Sequence, residues 1–202
     1  PTTGADLREQ ILQHFCRIPD QLVPRQFNLL DSHDLHRLHH HAAVHHPDLY
    51  RGLIAFLFLL PGAPCIYYGD EIGIAGHDQT VEGCRFPMPW EESRWDRNLF
   101  EYFQMLIRMK TEEPALQEGG MLLPYADSTG CLLVRFFKKT GFAVFLNRAR
   151  EERNVTLPFT SVAAVAAVDL GQGGNPVPLK DGVLTRTLAP YECPLFRLEL
   201  QP

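Results

Sequence analysis

The sequence predicts a mixed α/β segment followed by an all-β segment, and three observations lead there. Two short apolar runs, F-N-L-L-D-S-H-D (Phe27 to Asp34) and G-A-P-C-I-Y-Y-G-D-E (Gly62 to Glu71), each end abruptly in polar and acidic residues. A helical stretch separates them, which is the order strand, crossover helix, second parallel strand. After about residue 120 the chain changes to short runs of β-branched and aromatic residues bounded by turn residues, the signature of antiparallel strands.

The elements follow in order. Leu7, Ile11, Leu12, Phe15 and Cys16 recur at helical spacing and predict a helix over Ala5–Arg17. Phe27–Leu30 reads as a short buried strand, and Ser32–His46 as polar and irregular. Pro47 suits the first turn of a helix that runs to Leu60 and is apolar on nearly every side; Pro61 and Gly62 stop it. Cys65–Tyr68 is the next strand, and Gly69–Trp95 a long loop of the kind that often carries function. Asn98–Lys110 is an amphipathic helix presenting Leu99, Phe103, Leu106 and Ile107 to a core. Strands are expected at Met121–Tyr125, Cys131–Phe137, Phe142–Asn147, Asn154–Leu157, Val162–Asp169, Val183–Leu188 and Pro194–Leu200, forming an antiparallel β-sandwich. The change of character near Pro114–Gly120 divides the chain into segments 1–117 and 118–202.

Composition narrows the function. A net charge of -5, with no basic tract, argues against a nucleic-acid partner. The apolar stretch Gly52–Leu60 is about half a membrane span and ends at prolines, so no membrane partner is expected. Five widely spaced cysteines without a C-x-x-C pair, and no secretory signal pattern, suggest reduced thiols in a cytoplasm. Seven of the nine histidines fall between His33 and His46, with His36/His40 and His41/His45 at i,i+4 spacing. Zinc would need a further converging ligand. With no H-E-x-x-H and no nearby cysteine pair, a solvated loop is the expected reading, with no metal site.

Carboxylates at the C-terminal ends of parallel strands suggest chemistry, because barrels of alternating strands and helices carry their catalytic residues at that end. A complete barrel of eight strands needs about 200 residues. Only about 115 precede the all-β segment here. Two strands cannot close a barrel and would leave unpaired edges.

Five segments, in order and at fitting spacings, resemble the α-amylase family of glycoside hydrolases. Phe27–Asp34 is similar to its seventh-strand motif, and L-P-G-A-P-C-I-Y-Y-G-D-E-I-G to its eighth. Cys84–Trp90 (C-R-F-P-M-P-W) resembles the segment after strand eight in the cyclomaltodextrinase, neopullulanase and maltodextrin-glucosidase group. Asn98–Leu116 is similar to the last barrel helix. Ala189-Pro190-Tyr191 with Phe196-Arg197-Leu198 resembles the end of the C-terminal β-domain. The resemblance implies the last two strand–helix units of a (β/α)8 barrel followed by a C-terminal antiparallel β-sandwich, from a retaining enzyme acting on α-glucosidic bonds of maltodextrins.

Such an enzyme uses an Asp nucleophile on the fourth strand, a Glu acid/base on the fifth and a second Asp on the seventh. Only the last maps here, onto Asp34. The resemblance makes Asp34 a transition-state stabiliser that holds sugar hydroxyls; the plainer alternative is a turn cap. His33, Arg37 and Arg85 are the expected substrate contacts. His33 has a structural alternative, and Arg85 either reaches the cleft or pairs with Asp70 or Glu71. The family often has Thr-Pro where this chain has Leu35-His36, which puts the local loop shape in question. The adjacent Asp70 and Glu71 invite an acid/base reading, but with Tyr68 the resemblance gives them a structural place at the barrel mouth. It implies no organic cofactor and is silent on calcium. The implied partners are an oligosaccharide substrate and an upstream remainder of the barrel. The rival reading is a non-catalytic relative serving as a sugar-binding or scaffold module.

Overall fold

The computed structural model describes residues 2–43, 45–77 and 79–201, leaving aside the side chains of 41, 42 and 81. Helix α1 (Gly4–Cys16) opens with a capping box: Asp6 N donates to Thr3 Oγ1 at 3.0 Å, and Thr3 N donates to the Asp6 carboxylate at 2.9 Å. Such a cap is worth about 1 kcal/mol. Strand β1 (Phe27–Leu29) pairs in parallel with β2 (Ala63–Cys65), and α2 (Pro47–Leu59) connects them. Helix α3 (Arg97–Glu112) starts on the Asp96 cap, which accepts from Leu99 N at 3.0 Å, and α4 (Pro114–Gln117) follows.

Four expectations change here. β2 ends at Cys65 instead of beginning there. Ala63 N donates to Gln26 O at 2.8 Å and Asn28 Nδ2 to Pro61 O at 2.7 Å, which fixes the register at Phe27↔Ala63 and turns Tyr67 and Tyr68 into the following loop. β1 is not buried: Phe27 is 68% exposed and Leu29 45%. A parallel strand is normally covered on both faces, and this one leaves Phe27 and Leu29, which share a face, exposed. The polar stretch before α2 contains a π-helical turn, His39–Ala43. Of the four residues expected on the core face of α3, Leu99, Phe103 and Leu106 are buried and Ile107 is exposed.

The β-segment holds a six-stranded sheet in the order β3-β4-β5-β10-β7-β8 and a two-stranded sheet, β6-β9. The strands are β3 Gly120–Ala126, β4 Gly130–Phe137, β5 Thr140–Asn147, β6 Arg153–Pro158, β7 Ala164–Asp169, β8 Asn175–Val177, β9 Val183–Leu188 and β10 Leu195–Leu200. Residue alternation splits the large sheet between two cores. Cys131, Leu133, Phe142, Val144, Leu146 and Leu195 join Ile54, Phe58, Leu99, Phe103 and Leu106 of the helices. Leu132, Val134, Ala143, Phe145, Phe196 and Leu198 face Val155, Leu157, Leu184 and Leu188 of the small sheet. β4 and β5 therefore read as continuous apolar runs instead of alternating ones, because both faces are covered. The first core crosses the junction between residues 117 and 118. Gly52 lets α2 approach: a Cβ there would lie 2.3 Å from the Cys193 Cβ.

A buried cation ties the two segments. Arg135 on β4 is 1% exposed and donates to Leu59 O at 2.8 Å, Gly119 O at 2.9 Å and Gly120 O at 3.2 Å. Lys110 donates to Leu60 O at 2.9 Å and Leu116 O at 3.0 Å. Both cations sit at the C-terminal end of α2, where the helix dipole is negative. Burial holds the Arg135 pKa down at about 10 and the Lys110 pKa down at about 8. Arg135→Met leaves three carbonyls without this donor, each worth about 1–3 kcal/mol if buried, against a regained desolvation cost. We expect a net loss of about 3 kcal/mol, read as a lowered urea midpoint at unchanged slope. An unshifted midpoint would show that the clamp contributes nothing.

Candidate functional site

The loop after β1 carries Asp34 outward, with its side chain 68% exposed. Ser32 makes the turn: its Oγ accepts from Asp34 N at 3.2 Å and its carbonyl from Leu35 N at 3.3 Å. The Asp34 carboxylate therefore faces other partners. Arg85 reaches its Oδ1 at 3.3 Å, and His33 Nε2 lies 3.2 Å from its Oδ2. Arg85 Nε also donates to His33 O at 2.9 Å, and the Cys84 thiol to the same carbonyl at 3.1 Å. Of the two alternatives for Arg85, pairing with Asp70 or Glu71 is not what forms; the guanidinium pairs with Asp34 beside solvent.

Arg37 differs most from its expected place. Its side chain is fully buried, donating to Asp70 Oδ1 at 2.8 Å and Cys84 O at 3.0 Å. Its guanidinium lies 4.4 Å from the Tyr67 ring centroid and 4.8 Å from that of Tyr68. A guanidinium enclosed by two rings, a carboxylate and a carbonyl is not open to a substrate in this structure. What this geometry supports is positioning: Arg37 joins the Asp34 loop to the β2 turn and to the Cys84–Arg85 segment. Asp70 lies under that loop, while Tyr68 is partly exposed and donates from its hydroxyl to Phe86 O at 2.6 Å.

Around Arg37 lies a polar cluster that the sequence reading did not single out. Asp31 is 4% exposed and accepts Leu38 N on both oxygens at 2.9 Å. Burial raises the Tyr50 hydroxyl pKa far above its usual range, helped by the Asp70 and Asp31 carboxylates. The His39 ring stands edge-on to Tyr50 at 5.3 Å, and burial lowers its pKa. Arg37 NH2, Glu71 Oε2 and His39 Nδ1 are buried with no hydrogen-bond partner among the described residues. Asp31 and Cys84 lie within the quoted motifs and His39 within the histidine cluster, but no local signal marks their burial around Arg37, since their partners are distant in sequence.

Burial pushes the Asp70 carboxyl up to about 8, reinforced by Asp31 and outweighing the bond from Arg37. A folded-state pKa above the unfolded value of about 4 favours the neutral form on folding. Its contribution is present below about pH 4 and is lost as pH rises through about 8. The stability of the wild type relative to Asp70→Asn is expected to fall by roughly 4 kcal/mol between about pH 5 and about pH 8.5. Urea denaturation of both proteins across this range checks it, and parallel pH profiles would remove Asp70 from the account.

No two of the five cysteines form a disulfide. Among the described residues, no three His, Cys, Asp or Glu side chains converge to hold a metal, and no helix is long and apolar enough to cross a membrane. The His41/His45 pair falls partly outside the described side chains.

Residues 1–94 match the alpha-amylase family model for the catalytic domain. Neopullulanase 2 from Thermoactinomyces vulgaris is 35% identical over 176 residues, covering 86% of this chain and 29% of the relative. The intracellular maltogenic amylase of Bacillus subtilis is 38% identical over 120 residues, covering 59% of this chain and 20% of the relative. A solved cyclomaltodextrinase structure superposes with a TM-score of 0.77 at 26% identity, over 93% of this chain and 32% of the other. The chain thus spans less than a third of each.

Proposed function

Because the chain belongs to the α-amylase family of glycoside hydrolases, we propose that it forms the last two strand–helix units of the barrel, and the β-domain after them, of a retaining glycosidase. Its substrates are maltodextrins or related oligosaccharides with α-glucosidic bonds. The observation that carries this reading is an exposed carboxylate, Asp34, held between Arg85 and His33 at the end of a parallel strand.

In this reading Asp34 accepts hydrogen bonds from two adjacent hydroxyls of the sugar at the cleavage point. Those bonds tighten as the ring flattens toward an oxocarbenium ion. Arg85 aims the carboxylate through its contact with Oδ1. His33 bonds the same sugar through its ring nitrogen. Arg37, Asp70, Glu71 and Tyr68 hold the loops from beneath. The nucleophilic carboxylate and the acid come from an upstream part of the same protein, which also covers the exposed face of β1. A double displacement follows: the nucleophile forms a glycosyl-enzyme intermediate as the acid protonates the leaving oxygen, and water then hydrolyses it. No organic cofactor enters. A cytoplasmic location accords with the unpaired cysteine pattern and with the intracellular relative. Neither nucleic acid nor membrane is a partner.

The test is release of reducing sugar from maltotriose and a cyclic maltodextrin by the full-length parent. Turnover of either is expected. Binding of both without turnover would favour a non-catalytic sugar-binding relative.

A further inference from the structure

Four large apolar side chains stand exposed on the segments that bear the site: Leu35, Tyr68, Phe86 and Trp90. Exposing an aromatic ring to water is costly, and a rigid one is a ready contact surface because little entropy remains to be lost on binding. Phe86 is both exposed and anchored. The residue is 42% exposed, and its carbonyl accepts the Tyr68 hydroxyl at 2.6 Å. Its ring edge meets His77 at 5.5 Å and 74°. It directly follows Arg85, which is fixed to His33 O and to Asp34. Tyr68 is itself braced by the buried Arg37 guanidinium 4.8 Å from its ring centroid.

The chemistry of the setting selects the ligand. A glucopyranose has a rim of hydroxyls and two faces of C–H groups, so it pairs an aromatic plane with adjacent charged hydrogen-bonding groups. Phe86 supplies the plane; Arg85, one residue before it, and Asp34, in contact with Arg85 at 3.3 Å, supply the charged groups. We propose that Phe86 is a specificity-determining residue. Its ring stacks on the glucosyl unit next to the one held by His33 and Asp34, with Tyr68 as its buttress. This rests on the glycosidase reading and adds to it a preference for α-glucans over α-glucosyl fluoride, whose single glucosyl unit leaves the ring unfilled.

The test compares kcat/KM for maltotriose with kcat/KM for α-glucosyl fluoride in the full-length parent. Phe86→Ala is expected to lower this ratio about tenfold, about 1.4 kcal/mol, which is the scale of a well-formed aromatic contact. Phe86→Trp should hold the ratio within about twofold of wild type, and Phe86→Leu should behave like Phe86→Ala. A general loss of folded enzyme moves both substrates together and leaves the ratio unchanged. An active Phe86→Ala enzyme with the wild-type ratio overturns the platform alone, as does a Leu variant that retains the ratio. A wild-type parent that turns over neither sugar refutes the glycosidase reading and the platform with it.

Discussion

Asp34→Asn in the full-length parent is expected to lower kcat at least a hundredfold while leaving KM for maltotriose within a few-fold. The substitution keeps the shape of the side chain and removes its charge. Asp34 is solvent-exposed, so folding tolerates the change: its carboxylate is held by Arg85 and His33 at the surface, not by the core. Its loss falls on the transition state, where the sugar hydroxyls tighten on a full negative charge. Removing one preorganised transition-state partner costs about 3 kcal/mol, or roughly a hundredfold in rate. His33→Ala should be milder, because a neutral hydrogen bond is worth less than one to a charged group. Steady-state kinetics of both variants decide the point. A raised KM with unchanged kcat would make Asp34 a ground-state contact only.

The 202-residue chain by itself is expected to show no glycosidase activity above background. Retention requires two carboxyl groups about 5–5.5 Å apart on opposite sides of the scissile bond. The chain offers Asp34 at the surface and Asp70 in the polar cluster below, already bonded to Arg37 and surrounded by Tyr50 and Asp31. Neither can form the glycosyl intermediate and protonate the leaving group as well. Loss of both functions removes most of an enhancement of about a millionfold or more. Turnover of maltotriose by the purified chain, free of host amylase, would overturn this.

Much of the architecture is legible in the sequence because it depends on local pattern. The helix from Pro47 and the paired runs around it give the parallel unit, and Cys131–Phe137 and Phe142–Asn147 lie within β4 and β5. β8 escapes notice because Asn175-Pro176-Val177 is three residues long and follows two glycines. Val162 belongs to a 3-10 turn instead of β7, since Ala163 takes a left-handed backbone with φ 51°. The placement of β2 depends on pairing with Gln26 and Asn28, which no local signal records.

The site divides in the same way. His33, Asp34 and Arg85 are marked by motif and come together at the surface. The burial of Arg37 is not marked, because its enclosure is built from Tyr67, Tyr68, Asp70 and Cys84, between 30 and 47 residues further on. A charged residue in a polar loop reads as a solvent-facing contact until the partners that desolvate it are known.

The most direct test of the central claim is the anomeric configuration of the sugar first released from maltotriose by the full-length parent, followed by proton NMR before mutarotation. A retaining enzyme with Asp34 as its third carboxylate releases the α-anomer, and the Asp34→Asn protein releases it far more slowly. First release of the β-anomer, or α-anomer release at an undiminished rate from Asp34→Asn, would contradict the account.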